Sequence, residues 1–275
     1  LLLDTVLASF LIAGSVSWLY YSDRLVEFPL GMFGVALATV ILPKLSREHS
    51  RAAGADFQQT LDWGLRLTVL LALPATVGLV VLAGPLLATL FEYGKFTPDD
   101  TQMAMMSLMA YGLGLPAFLL IKVLAPGFYA RQDMVTPVKI GVQAVLSNIA
   151  FKAAVVLPMV ILAVPGTHAA LAAGTSLAAM LNAWWLYRGL RKSEVYRPSP
   201  AWRRLWLQAG LATVLMGGLL FWLMPIQALW SAMSGGWRVL WLAGLVFGAV
   251  AVYVLVLLAT GLRARDLKRE EVSWS

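Results

Sequence analysis

The sequence predicts an all-α, polytopic transmembrane helical bundle, and three observations carry that expectation. Of its 275 residues, 60% are hydrophobic and 13% charged, with a mean hydropathy of +0.78; soluble domains keep about a quarter of their residues charged. Apolar runs long enough to cross ~30 Å of hydrocarbon recur along the chain, separated by short polar turns. Eleven Trp and 23 Gly suit membrane helices, and the absence of Cys excludes a disulfide framework or a thiolate metal site.

Taken in order, LLLDTVLASFLIAG is apolar but shorter than the ~20 residues a span needs, so it reads as a fragment that starts partway along a helix. Gly14-Ser15 breaks it. Spans are then expected over 16–45, 61–91 (with Pro74 and Pro85 inside), 99–130, 137–162, 168–187, 205–224 and 237–260. The polar connection 46–60 offers Ser46 and Asp56 as helix caps, and Thr97-Pro98-Asp99 is a helix start. Lys and Arg divide unevenly between alternate connections. Four lie around 44–66, two at 131–139, six at 188–204 and four in the tail, sixteen in all, against Lys95 and Arg238 on the other side. The positive-inside rule puts the linkers at 46–60, 131–136 and 188–204 and the C-terminal tail in the cytoplasm. The net charge of +7 is thereby a topology signal, and nucleic acid is not an expected partner.

One stretch departs from the apolar pattern. SWLYYSDRLVEFPLG (17–31) places Asp23, Arg24 and Glu27 within a span. At 100° per residue Tyr20, Arg24, Glu27, Gly31, Gly34 and Ala38 fall within about 80° of one another, with Asp23 at the border. Leu25, Val26, Met32, Phe33, Ala36 and Val40 then cover the other side. Ionisable groups at bilayer depth cost on the order of 2.5–3.5 kcal/mol each and normally face a protein interior or a wet cavity. Pro29 crowds the carbonyl of Leu25, so a kink is expected just past the charges. Lys122 and Lys152 also lie within spans, where cavity lining and interhelical pairing are equally good readings. Little else offers chemistry: His49 and His168 lie on opposite sides, no phosphate-cradling glycine loop is present, and no cofactor is expected.

The stretches SVSWLYYSDRLVEFPLGMFGVALATVILPKLS, LDWGLRL, LFEYGKFTPDD and KVLAPGFYARQDMVTPVKI resemble the MurJ (MviN) lipid II flippases, of the multidrug/oligosaccharidyl-lipid/polysaccharide exporter superfamily. The resemblance implies the second six-helix lobe of a two-lobe exporter (1–190, first helix partial), a cytoplasmic linker (191–204), a terminal helix pair (205–261) and a cytoplasmic tail (262–275). It implies a multi-pass inner-membrane protein with lipid II, membrane lipids and a missing N-terminal lobe as partners. Lipid II would be flipped by alternating access, without covalent catalysis. Substrate-binding residues would be Arg24, Glu27 and Asp23, on which the family's charged motif falls. Lys122 and Lys152 are added as substrate-binding candidates from their mid-span positions alone, Lys152 having no place in the family pattern. The terminal pair would form an apolar groove for the lipid tail. Another exporter of the superfamily, or a membrane enzyme of polyprenyl-phosphate metabolism, are the alternatives.

Overall fold

The computed structural model describes residues 2–162, 164–225 and 227–262. The elements among them are all helices: α1 (Leu2–Ala8), α2 (Ser15–Ser50), α3 (Gly54–Val81), α4 (Ala83–Phe91), α5 (Pro98–Tyr129), α6 (Val135–Ile161), α7 (Thr167–Lys192), α8 (Ala201–Leu223), α9 (Gln227–Ala232) and α10 (Gly235–Ala259). Seven of these, α2, α3, α5, α6, α7, α8 and α10, are long and apolar enough to cross a membrane, as the hydropathy predicts. The expected tail lies outside the described residues from Arg263 onward.

Several boundaries move. The expected 46–60 connection is almost all helix, because α2 runs on to Ser50 and α3 begins at Gly54 without a side-chain cap, Asp56 lying inside its first turn. Hydropathy reports where a chain leaves hydrocarbon, whereas the helical ladder continues into water. Here buried Glu48 accepts from Thr60 Oγ1 at 2.8 Å and joins the two helix ends. The 188–204 linker shrinks in the same way to 193–200. The single span expected over 61–91 is two helices separated at Leu82, and Pro85 falls in the first turn of α4, where its missing N–H is least costly. The short α9 is not anticipated by sequence.

Other signals are met closely. α5 starts with a reciprocal cap in which Thr97 N–H donates to Asp100 Oδ2 (2.8 Å) and Asp100 N–H to Thr97 Oγ1 (3.2 Å). Beyond Pro29 the helix opens into a π-helical turn over Leu30–Gly34, the form the expected kink takes. A second π turn, Lys152–Val156, precedes Pro158 in α6.

Packing gathers the helices around three apolar clusters. α5 and α7 cross so closely that a Cβ at Gly114 would lie 2.9 Å from the Ser176 Cα, and Ser176 Oγ donates to the Ala110 carbonyl at 2.8 Å. Small residues at such contacts let backbones approach where lipid supplies no hydrophobic drive between helices. One cluster around Ile41, Leu61, Leu124 and Leu190 fills the end of the bundle that carries the basic turns. A second, around Leu87, Leu108, Leu115 and Leu171, fills the opposite end. A third joins Leu70 and Ala88 to Ala209, Ala212 and Leu245 of the terminal helices. Turn chemistry also differs between the ends. In the connections between helices, Ala52, Gln132 and Glu194 take positive φ at the basic end, whereas Gly14, Gly94 and Gly166 do so at the other; Gly261, beyond α10 at the basic end, also takes positive φ. In the 130–134 turn the backbone N–H of Thr136 donates to Asp133 (3.0 Å) and holds its carboxyl below the usual range.

Two buried ionic centres fix α8–α10 to α3 and to the end of α4. At the basic end Asp62 of α3 accepts from Tyr196 Oη (2.8 Å), Ser199 Oγ (2.9 Å) and Trp202 Nε1 (2.7 Å), and lies 3.0 Å from Arg66 Nε. Burial, with Asp62 beside it, holds the Tyr196 hydroxyl above the usual phenol range, so it remains a donor. At the opposite end Arg238 pairs with Glu92 (3.2 Å) and donates to the carbonyls of Ala88, Ser231 and Met233. Arg238 is therefore a buried tie and not one of the exposed rim charges that a topology count assumes. Glu92→Ala strands this guanidinium and should cost ~3–5 kcal/mol. The check is thermal unfolding of the purified protein, and an unchanged Tm would contradict the assignment.

Candidate functional site

α2 is anchored by a strip of small and apolar groups, Trp18, Ser22, Val26 and Pro29, all buried. Ser22 Oγ lies 2.7 Å from the Ala104 carbonyl of α5, and Trp18 Nε1 donates to Asp100 at 2.8 Å while its ring lies 4.9 Å from that of His168. With that strip fixed, helical geometry turns Tyr20, Arg24 and Glu27 to the opposite, open side. Arg24 Nη1 pairs with Glu27 Oε2 at 2.8 Å, the two side chains 56% and 43% exposed, and the guanidinium lies 5.0 Å over the Tyr20 ring. An ion pair on the outside of an apolar helix is not what packing alone produces in a bilayer, since each charge there is costly. Asp23 is half-buried at the edge of this face.

The expected strip does not run straight on. The π turn inserts one extra residue, which delays the following positions by about 100°. The open face therefore continues through Val35 and Thr39, while Gly34 turns inward against α5. Met32, Ala36 and Val40, expected on the covered side, are exposed for the same reason. Inward-turned Gly34 meets Lys122: a Cβ there would sit 3.4 Å from Lys122 Cγ. The lysine stem crosses the glycine and its side chain is exposed. Lys122 thus meets α2 at Gly34, about two turns past the Arg24–Glu27 pair on the same helix.

Lys152 does not join them. It is buried, and its ammonium is ion-paired with Asp4 of α1, whose other carboxylate oxygen accepts from Thr175 Oγ1 at 3.0 Å. Of the two readings open at the level of sequence, interhelical pairing is the one the structure displays, binding α1, α6 and α7 together. Asp4 and Thr175 do not stand out by sequence; an acid four residues into an apolar run is the available signal for the first. The partnership of Glu92 with Arg238, and of Asp62 with Tyr196 and Trp202, is likewise missed, because residues so far apart in the chain carry no local pattern. Among the described residues no three His, Asp or Glu side chains gather as a metal site.

Glycine positions in the terminal pair are split. A Cβ at Gly217 would lie 2.8 Å from Val77 of α3, whereas Gly218 is open. An apolar cavity of about 550 Å³ lies between α3, α5, α7 and the start of α8, lined by Val69, Leu120, Trp184, Tyr187, Trp202 and Trp206 among others.

The family described as "Lipid II flippase MurJ" matches residues 1–240. The chain belongs to that family. It is 46% identical over 273 residues to a probable lipid II flippase MurJ of Haemophilus influenzae, covering 97% of this chain and 52% of the relative. It is 48% identical over 270 residues to a probable lipid II flippase MurJ of Vibrio cholerae, covering 98% and 50%. Among solved structures, "Lipid II flippase MurJ, inward closed conformation" superposes with a TM-score of 0.68 at 25% identity, over 93% of this chain and 48% of that one. The chain spans about half the length of the curated MurJ relatives it matches.

Lys152→Met strands the Asp4 carboxylate and should destabilise the bundle by ~3–5 kcal/mol. The loss should appear as reduced membrane abundance, and adding Asp4→Asn should recover most of it. Persistently low abundance in the double variant would contradict a purely structural pairing.

Proposed function

We propose that this chain forms one wall of a pathway that carries a lipid-linked diphosphate, lipid II, across the bacterial inner membrane. The observation that carries the reading is the Arg24–Glu27 pair held on the open face of a membrane-length helix. A guanidinium offers a permanent charge and a planar donor fork suited to phosphate oxygens. Glu27 holds it in place until an anion competes for the same nitrogens. Lys122, which meets α2 at Gly34, supplies a second cation, and Asp23 borders the site. Lys152, taken up by Asp4, acts by placing α1 rather than by touching substrate. No bond is made or broken in this cycle; the work is alternating access between this lobe and a facing one. Relatives named as lipid II flippases support the substrate assignment.

Because Arg24 and Glu27 are exposed, their pairing contributes little to stability. Arg24→Ala should therefore abolish flipping while membrane abundance stays near normal, and Arg24→Lys should restore it in part. Flipping by Arg24→Ala combined with Glu27→Gln, normalised to abundance, is the decisive measurement, and recovery of transport would overturn the substrate role.

The basic turns at 51–53, 130–134 and 193–200 are assigned to the cytoplasm by the uneven distribution of Lys and Arg. Lys95 and Ser193 are both exposed in a chain without Cys. In intact cells a membrane-impermeant thiol reagent should label Lys95→Cys and spare Ser193→Cys; the reverse would invert the orientation.

A further inference from the structure

α3 presents two separate faces to its neighbours. Gly64 packs on Ile41 of α2 and Val123 of α5. Two residues on, about 200° around the helix, Arg66 turns toward α8. There a second cavity of about 230 Å³ lies between α3, α8 and the end of α10, lined by Trp63, Arg66, Leu70, Arg204, Gln208 and Leu262 among others. It is thus separated from the α2 face by the body of α3. Among the described residues its lining contains two arginines and no acidic residue.

Both guanidiniums are held by one anchor each. Arg66 Nε lies 3.0 Å from Asp62, and Arg204 Nη2 donates to the Gly261 carbonyl at 3.1 Å. A guanidinium carries five N–H groups, so each retains donors after these contacts. Gln208, buried, donates to the Thr260 carbonyl at 2.7 Å and holds the end of α10 against α8. The level of the cavity is set by chain ends. Arg204 is in the first turn of α8, and Gly261 and Leu262 follow the Thr260 cap of α10. Trp63 lines the cavity, and Trp202 and Trp206 sit at the same level of α8, as aromatic side chains do where hydrocarbon meets headgroups. On α3 the lining continues with Leu67 and, one turn beyond Arg66, Leu70; on α8 Gln208 lies one turn beyond Arg204. The cavity therefore combines two arginines near the chain ends with an apolar wall of Leu67 and Leu70, and it is smaller than the ~300 Å³ at which pockets for larger organic ligands begin.

We infer that this cavity binds the phosphodiester headgroup of an anionic bilayer phospholipid, with Arg66 and Arg204 on the phosphate and the acyl chain along Leu67 and Leu70. Basic pockets between membrane helices are suited to such headgroups. The assignment of the lipid to the cytoplasmic leaflet rests on the orientation proposed above. The bound lipid would wedge the seam between the lobe and its terminal pair, beside the Asp62 centre that holds them together.

The test is native mass spectrometry of the purified protein in detergent, titrated with phosphatidylglycerol, with phosphatidylcholine and with inorganic phosphate. A micelle has no sides, so the result is independent of the orientation and of transport. Phosphatidylglycerol should be retained in preference to phosphatidylcholine, and Arg66→Gln with Arg204→Gln should weaken its retention about tenfold or more, the scale of losing charge-assisted hydrogen bonds. Because Arg66 also contacts Asp62, Arg204→Gln alone and Arg66→Lys with Arg204→Lys are measured beside it. The first should weaken retention and the second should keep most of it, both with a near-normal Tm. Equal retention of the two lipids, unchanged retention in Arg204→Gln, or displacement of the lipid by millimolar inorganic phosphate would each overturn the proposal.

Discussion

The structure depends on how charge is neutralised where water is scarce. Three carboxylates with buried side chains, Asp4, Asp62 and Glu92, each meet a cation from another turn or another helix: Lys152, Arg66 and Arg238. Removing either member of such a pair leaves a charge that the surroundings cannot solvate, which is why these pairs constrain the fold more than their net energy implies. Each carboxylate joins segments that apolar packing alone would leave free to slide. Against that background the Arg24–Glu27 pair is different in kind. It is made within one helix, on the open side, and ties nothing together.

The terminal helices illustrate what this achieves. Asp62 engages the connection before α8, and Arg238 at the start of α10 engages the turn after α4. The pair is thus fixed near both membrane boundaries, with the Leu70, Ala209 and Leu245 cluster between. Gly217 against Val77 adds close backbone approach in the middle. A hinge between the pair and α3–α4 would have to break both ionic centres.

Much of this is legible in the residues. Seven apolar stretches and the capping signal at Thr97 indicate the helices and the start of α5. Asp23, Arg24 and Glu27 stand out because charge in an apolar run has few explanations. Other features are hidden for identifiable physical reasons. Hydropathy sees the edge of the bilayer and not the end of a helix, so 46–60 and 188–204 look like longer linkers than they are. A π turn adds one residue to a helix without altering its composition, and so the small strip predicted through Gly34 and Ala38 passes to Val35 and Thr39. Ion pairs such as Glu92–Arg238 depend on which helices become neighbours, which no local spacing encodes.

The two ends of the bundle also differ in which residues hold the left-handed positions of the turns between helices. A non-glycine residue held left-handed costs about 1–2 kcal/mol, so Ala52, Gln132 and Glu194 keep that conformation only because the helices around them leave no alternative. Gly14, Gly94 and Gly166 carry no such penalty and can change hand without steric cost. Local rearrangement of the connections is consequently cheaper at the glycine end. Among the connections between helices, the basic end behaves as a preloaded mount and the other end as a set of compliant joints, an asymmetry written into six turn residues, Gly261 lying beyond the last helix.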